Sequence, residues 1–320
     1  MKRIAVLTSG GDAPGMNAAI RAVVRAANYD HMEVYGVERG YQGLIEGEMQ
    51  MLSRRSVSDT IQRGGTILKT ARSQEFETYE GRKRAAEALS ERGIDGLVVI
   101  GGDGSLRGAN DLWKEFGIKV VGLPGTIDND LGYTDRTIGF DTAVNTALAA
   151  INNLRDTMSS HDRVVIVQVM GRRSGEIALH AGLAGGAEVI LVPEKPVDFD
   201  EVASILNRGK AVGKSSGIVV LAEGACPLEQ AMTELKSRTG LSFRSTVLGY
   251  IQRGGSPSME DRVLASRLGV RAVALLKEGK GGRVVGVKGG AVIDLPIEEA
   301  LKIPAPFDEE LYEQAKILSL

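Results

Sequence analysis

The sequence predicts an α/β protein built on doubly wound parallel sheets, and three observations carry that prediction. Short, β-rich apolar runs alternate with helix-like segments along the chain, the pattern of βαβ units whose sheet is covered on both faces. Glycine-rich turns follow several of the runs, and in such sheets ligands sit beyond the carboxyl ends of the strands. The 320 residues exceed the usual size of one core, so two domains are expected. No low-complexity tract, Pro/Ser-rich linker or solenoid period divides them, so more than one chain crossing would join them.

The strands predicted in order are Ile4–Thr8, Glu33–Val37, Gly96–Ile100, Val120–Leu123, Val164–Val169, Val189–Val192, Gly217–Ala222 and Arg283–Val287. Helix-like segments between them include Gly81–Arg92, Asp141–Leu154, Asp200–Gly213 and Arg262–Glu278. A formal charge of −2 gives no global attraction to nucleic acid or membrane, so an anionic ligand requires local arginine clusters. The single cysteine, Cys226, rules out an intrachain disulfide and favours a reducing compartment. The N-terminal run is too short and badly flanked for a signal peptide, and no apolar run reaches membrane length, so a cytoplasmic protein is expected.

The first strand leads into Ser9-Gly10-Gly11-Asp12-Ala13-Pro14-Gly15-Met16-Asn17, with a helix from about Ala18. Glycine allows close backbone approach to a phosphate, and a helix N-terminus adds partial positive charge. The loop has neither a Walker lysine nor a G-x-G-x-x-G spacing, so a plain tight turn fits it equally well. On that helix Arg21 and Arg25 share one face, which reads as a solvated face or as half of an anion site. The third strand ends in Gly101-Gly102-Asp103-Gly104-Ser105, a loop with little side-chain bulk around one carboxylate. That composition suits a nucleotide with Mg²⁺ reached by Asp103, since magnesium takes carboxylate and phosphate oxygens.

The fourth strand is expected to stop at Pro124-Gly125 and release an open loop, Thr126-Ile127-Asp128-Asn129-Asp130. In an extended backbone Asp128 and Asp130 would share a face, and two close carboxylates call for a cation, a hydroxyl or donors between them. A turn capping the next helix is the competing reading. Downstream, arginines recur beside glycines at strand ends: Arg155, His161-Asp162-Arg163, Met170-Gly171-Arg172-Arg173, and Arg244 ahead of Gln252-Arg253-Gly254-Gly255-Ser256. The placement suggests bidentate anion clamps. His31, His161 and His180 show no metal-ligand spacing, and no Ser/His/Asp set stands out.

Taken together, Thr8–Asn17, Pro124–Asp130, Met170–Arg172 and Gln252–Ser256, in this order, make the chain resemble the bacterial ATP-dependent 6-phosphofructokinases essentially end to end. Gly-Gly-Asp-Gly by itself is shared with diacylglycerol and NAD kinases. The resemblance implies two Rossmann-like domains, 1–138 plus 252–305 binding ATP and 139–251 plus 306–320 binding the sugar phosphate, with the active site in the cleft between them. It implies γ-phosphoryl transfer from MgATP to the 1-hydroxyl of fructose 6-phosphate, the committed step of glycolysis. Asp128 would be the general base, with Thr126 and Asp130 beside it and Arg172 neutralising the moving phosphoryl group. Gly11, Arg72, Ser73, Gly102, Asp103, Gly104 and Ser105 would hold ATP, and Asp103 would carry Mg²⁺. Thr126, Ile127, Asp128, Met170, Gly171, Arg172, Glu223, Tyr250, Ile251, Gln252 and Arg253 would bind the sugar phosphate, joined by Arg163 and Arg244 from a neighbouring subunit of a homotetramer.

For an effector site taking ADP or phosphoenolpyruvate, the resemblance offers Arg21, Arg25, Arg54, Arg55, Ser58, Asp59, Arg155, Gly186, Ala187, Glu188 and Lys214. Three positions depart from the family pattern: Tyr250 stands where a histidine is common, and Val212 and Ser216 replace a basic residue and a histidine. Loss of a cation there would weaken effector binding by ~1–3 kcal/mol. Pyrophosphate-using relatives carry Asp and Lys at the positions of Gly104 and Gly125, so two glycines favour ATP as donor. A catalytically dead nucleotide sensor would be expected to lack Asp103, Asp128 or Arg172, and all three are present.

Overall fold

The computed structural model describes residues 1–158, 163–214 and 216–319; His161 and Asp162 lie outside the described residues. The strands in chain order are β1 (Arg3–Thr8), β2 (Glu33–Val37), β3 (Met49–Leu52), β4 (Gly96–Gly101), β5 (Lys119–Thr126), β6 (Ile138–Gly139), β7 (Val164–Val169), β8 (Val189–Leu191), β9 (Gly217–Ala222), β10 (Phe243–Val247), β11 (Arg283–Lys288) and β12 (Ala291–Pro296). The principal helices are α1 (Met16–Tyr29), α2 (Gly40–Glu46), α3 (Tyr79–Glu91), α4 (Asp103–Phe116), α5 (Phe140–Met158), α6 (Glu176–Ala184), α7 (Phe199–Ala211), α8 (Leu228–Thr239) and α9 (Met259–Lys277). Short α10 (Ile297–Ala300) and α11 (Glu309–Leu318) follow.

The chain divides into two compact units. The first comprises Met1–Ile127, Leu131–Thr142 and Arg253–Ala305; the second comprises Asp128–Asp130, Ala143–Gln252 and Pro306–Leu320. In the first, the sheet order is β12-β11-β5-β4-β1-β2-β3, with β6 paired to β5. The pairs from β11 through β2 are parallel, while β12 and β3 are antiparallel edges. From β1 the chain winds to β2 on one side, and β4 returns to the other side of β1. The switch point therefore falls between β1 and β4, where open parallel sheets place their ligands. The second unit holds an all-parallel sheet in the order β10-β7-β9-β8.

Both sheets are apolar on both faces, as the continuous apolar runs require. In the first unit Ala5, Leu7, Leu97, Val99, Val120 and Val284 pack with Leu44, Leu89, Leu106 and Leu112 from the helices. On the other face α1 meets α9 closely: a Cβ on Gly269 would lie 2.6 Å from that of Ala22. The second core gathers Ile166, Leu191, Val219 and Leu221 with Val202, Leu206, Ala231 and Leu235.

All eight predicted strands form, three with the predicted ends and four with one end shifted by a single residue. The exception is β5, which does not stop at Pro124 but runs on to Thr126. Pro124 is the last residue paired with β4, opposite Gly101, and Gly125 then pairs with β6, so the missing N–H falls where the strand changes partner. The sequence reading missed β3, β6, β10 and β12. β6 has two residues, and the other three are edge strands in which at most one side chain is buried (Leu52 in β3, Phe243 in β10), so none is the doubly buried apolar run that marks an inner parallel strand.

The exposed edge of β12 is anchored by Asp294, which bonds Arg271 Nη2 of α9 at 2.6 Å and Arg283 Nε of β11 at 2.5 Å. Burial raises its pKa, but the two guanidinium bonds outweigh that and hold the carboxyl below its usual range. A lowered carboxyl contributes stability above its unfolded pKa and loses it as pH falls through the folded value. Asp294→Asn is expected to cost about 1–3 kcal/mol at pH 7. The gap from wild type should narrow in denaturant titrations as pH falls below the ordinary aspartate range; an undiminished gap in strong acid would reject the ion-pair account.

Candidate active site

In the first unit the turn after β1 is braced on several sides. Thr70 Oγ1 donates to the Gly10 carbonyl at 2.9 Å, the Thr66 amide donates to Asp12 Oδ1 at 3.2 Å, and Arg253 Nη1 donates to the Asp12 carbonyl at 3.1 Å. Asn17, 1% exposed, bonds the Arg63 and Gly65 carbonyls and the Ile67 amide at 2.8–2.9 Å, binding the irregular 63–70 segment to the start of α1. Burial raises the Asp12 carboxyl above its usual range, although its backbone donors oppose this. Gly11 is exposed, and a Cβ there would meet the Arg253 guanidinium at 2.5 Å. The glycine thus lets an arginine lie on the turn itself. Arg72 is exposed on the neighbouring segment, and Ser73 Oγ donates to Gln42 Oε1 at 2.7 Å.

Asp103 proves not to lie in an open loop. The chain passes from β4 through Gly102 straight into α4, so Asp103, Gly104 and Ser105 form its first turn. The aspartate gains from that position: it lies at the positive end of the helix and accepts from Arg107 Nε at 2.8 Å and Nη2 at 3.1 Å. Tyr41, stacked on Phe76 with ring centroids 3.8 Å apart, donates to the Ser105 carbonyl at 2.6 Å and fixes the turn from below. The two glycines linked to donor choice differ. At Gly104 a Cβ meets nothing within 4 Å, so a side chain would project into open space beside Asp103. At Gly125 a Cβ would lie 2.9 Å from Ile100 and 3.2 Å from the Gly101 amide, so packing within the sheet already demands glycine there. Thr126, at the end of β5, accepts through its carbonyl from Thr137 Oγ1 at 2.7 Å, and Ile127 is buried.

In the second unit Asp128 is 3% exposed, and Asp130 is half-buried. The extended geometry expected for them does not form, because Asn129 between them has φ +49°. One left-handed residue redirects the chain, so simple alternation does not set the two carboxylates. Asn129 Nδ2 donates to Glu176 Oε2 at 3.3 Å. Burial raises the Glu176 carboxyl above its usual range, while His180 and the Asn129 bond lower it and Glu194 and Asp308 raise it.

The loop after β7 carries Met170, Gly171 and Arg172. Gly171 has φ +133°, with its Cβ position 2.3 Å from the Ser174 carbonyl, and Arg172 has φ +55°. The Arg172 amide donates to Glu223 Oε1 at 2.9 Å, while its side chain is exposed. The Met170 amide donates to Gln252 Oε1 at 3.3 Å. Since β7 and β9 are neighbours, Glu223 at the end of β9 stands beside this loop. Arg163 is half-buried just before β7, Arg244 is exposed on β10, and Tyr250 and Ile251 are exposed in the 3₁₀ turn Gly249–Arg253.

The effector set falls in two parts. Arg21 and Arg25 lie on α1, with Arg54, Arg55, Ser58 and Asp59 in the turns after β3. In the second unit, Arg155 Nη2 donates to the Gly185 and Gly186 carbonyls at 2.7 and 2.6 Å. Glu188, 6% exposed, has Lys214 Nζ 2.7 Å from Oε1, a contact too poorly aligned for a hydrogen bond and so an ion pair. Ala187 is buried beside it, and Val212 is 84% exposed. Among the described residues no three His, Cys, Asp or Glu side chains group as a metal centre, and no helix is long and apolar enough to cross a membrane.

Two parallel sheets with bare phosphate-approach turns and arginines at their carboxyl ends define a phosphoryl-transfer class of α/β protein. A family model, "Phosphofructokinase", matches residues 3–276. ATP-dependent 6-phosphofructokinases of Clostridium tetani and Clostridium botulinum are each 58% identical over 319 residues, covering all of both chains. A phosphofructokinase structure from Saccharomyces cerevisiae aligns with TM-score 0.89 at 35% identity over the whole of this chain, which spans about half (48%) of that longer one. A pyrophosphate-dependent phosphofructokinase from Marinobacter aquaeolei aligns with TM-score 0.85, covering 97% of this chain and 86% of its own; at 24% identity it shows the fold alone. The chain belongs to the phosphofructokinase family.

Asp12, Asn17, Thr66, Asn129 and Glu176 support the site and were not singled out from the sequence. Asp12, Asn17 and Asn129 lie within the quoted motifs, but nothing local marks Glu176 as facing Asn129. The Arg172 loop also depends on Gly224, where a Cβ would lie 2.0 Å from the Arg172 carbonyl. Gly224→Ala is therefore expected to push the loop off Glu223, lowering stability by about 1–3 kcal/mol. Hydrogen exchange at the Arg172 amide should speed up; unchanged protection would count against this packing.

Proposed function

We propose that the protein transfers the γ-phosphoryl group of ATP to the 1-hydroxyl of fructose 6-phosphate, giving fructose 1,6-bisphosphate and ADP. The observation that carries this reading is full-length 58% identity to relatives named ATP-dependent 6-phosphofructokinase, with the motif residues in the turns described above. Domain roles follow the same reading: the first unit's turns take ATP, and the second unit's arginines take the sugar phosphate. Gly11, Arg72, Ser73 and Gly102–Ser105 contact the nucleotide. Magnesium fits a site of one carboxylate completed by phosphate oxygens, with Asp103 as the protein ligand, and it would neutralise charge on the phosphates. Asp103 would then exchange part of its Arg107 pairing for the cation. Open space at Gly104 favours ATP over pyrophosphate as the donor.

Transfer through a loose, in-line transition state depends mainly on alignment and charge stabilisation. Asp128 takes the proton from the 1-hydroxyl, Arg172 draws charge from the moving phosphoryl group, and Thr126 and Asp130 support them. Ile127, Met170, Gly171, Glu223, Tyr250, Ile251, Gln252 and Arg253 line the sugar phosphate. Arg163 and Arg244 reach it from a second copy in a homotetramer in the cytoplasm. ADP and phosphoenolpyruvate act at the Arg21, Arg25, Arg54, Arg155, Glu188 and Lys214 set. A saturation curve for the sugar that neither compound displaces would reject that set as a working effector site.

A coupled assay with fructose 6-phosphate is expected to show turnover with ATP and none with pyrophosphate; the reverse preference would overturn the donor assignment. Asp128→Asn should lower kcat by about 10²–10⁴-fold with little change in KM. Near-normal turnover in that variant would remove Asp128 as the base.

A further inference from the structure

We propose that Glu176 is the positioning residue of the Asp128–Asp130 turn, its carboxylate holding Asn129 in the conformation that directs Asp128. The inference rests on Asp128 serving as the base. A left-handed φ is uncommon outside glycine, and asparagine is among the side chains that best tolerate it. Here it occurs at +49° between the two aspartates, so its backbone sets the directions in which the two carboxylates leave the chain. The Asn129 amide reaches Glu176 Oε2 at 3.3 Å, and the Glu176 side chain is 13% exposed.

Glu176 is itself fixed from the backbone. It opens α6, its amide donating to Ser174 Oγ at 3.3 Å, and the preceding Gly175 amide donates to Glu194 Oε1 at 2.8 Å. Ser174 in turn closes the Arg172 loop, its amide donating to the Gly171 carbonyl at 2.8 Å. A continuous chain of bonds therefore runs from the loop carrying Arg172 through Glu176 to the turn carrying Asp128. The group that accepts the proton and the group that meets the phosphoryl charge share one support. His180, one turn on along α6, brings its Nδ1 within 3.0 Å of the Glu176 carbonyl and 3.9 Å of Oε2, so a second polar group flanks the carboxylate.

Steady-state kinetics on the full chain test this. Glu176→Ala should lower kcat about 10–100-fold, the scale of a small misplacement of a reacting group, with KM for both substrates within about threefold of wild type. Glu176→Gln, which keeps an acceptor oxygen at the same reach, should recover most of that loss. Asn129→Gly, which tolerates the backbone angle but lacks the amide, should match Glu176→Ala and carries the test alone if Glu176→Ala does not fold. Wild-type kcat in Glu176→Ala or Asn129→Gly, a loss confined to KM, or no recovery in Glu176→Gln would each overturn the proposal. Asp128→Asn run alongside separates the two readings. An inert Asp128→Asn with a fully active Glu176→Ala rejects the positioning role alone, whereas an active Asp128→Asn rejects the base itself.

Discussion

A parallel strand that must deliver its ligand-facing turn within two or three residues has no room for side chains where that turn crosses its neighbour. This constraint organises both units. A Cβ on Gly101 would stand 2.5 Å from the Ser9 carbonyl, so the turns after β1 and β4 lie backbone against backbone at the switch point. In the second unit the same closeness recurs between Gly224 and the Arg172 carbonyl. The glycines let adjacent strand ends converge. A larger residue would separate the turns before it obstructed a phosphate.

With the backbones so close, charge is arranged by pairing. The net charge of −2 leaves no general field for anions, and several of the relevant cations already hold protein acceptors. Arg107 grips Asp103, Lys214 neutralises the buried Glu188, Arg155 binds two carbonyls, and Arg253 lies on the Asp12 carbonyl. Cations already paired in this way are held in fixed directions rather than spread as a general positive field. Arg172 differs: its amide is fixed by Glu223 while its guanidinium remains exposed. Its backbone is held in place while its charged end stays free of the turn.

Eight of the strands were legible because fully buried parallel strands must be apolar on both faces, and runs such as Val164–Val169 and Gly217–Ala222 have the length of strands rather than helices. Edge strands escaped for the opposite reason. β10, with Arg244 and Ser245 exposed, obeys no apolar rule. The Asp103 turn was misjudged as an open loop because an aspartate between glycines resembles a loop, whereas its gain comes from Arg107 one helical turn onward. At Asp128–Asp130 the spacing suggested two carboxylates on one face, and the left-handed Asn129 removes that basis.

By itself the sequence determined the fold class, the family and the identity of the groups that carry charge, because these depend on residue types in short, ordered motifs. Tertiary structure alone decided which groups support them. Glu176 lies 47 residues beyond Asn129 in the chain, and Glu223 lies 51 beyond Arg172. Only packing brings such partners into contact, and a side chain's direction follows from that packing rather than from its neighbours in sequence.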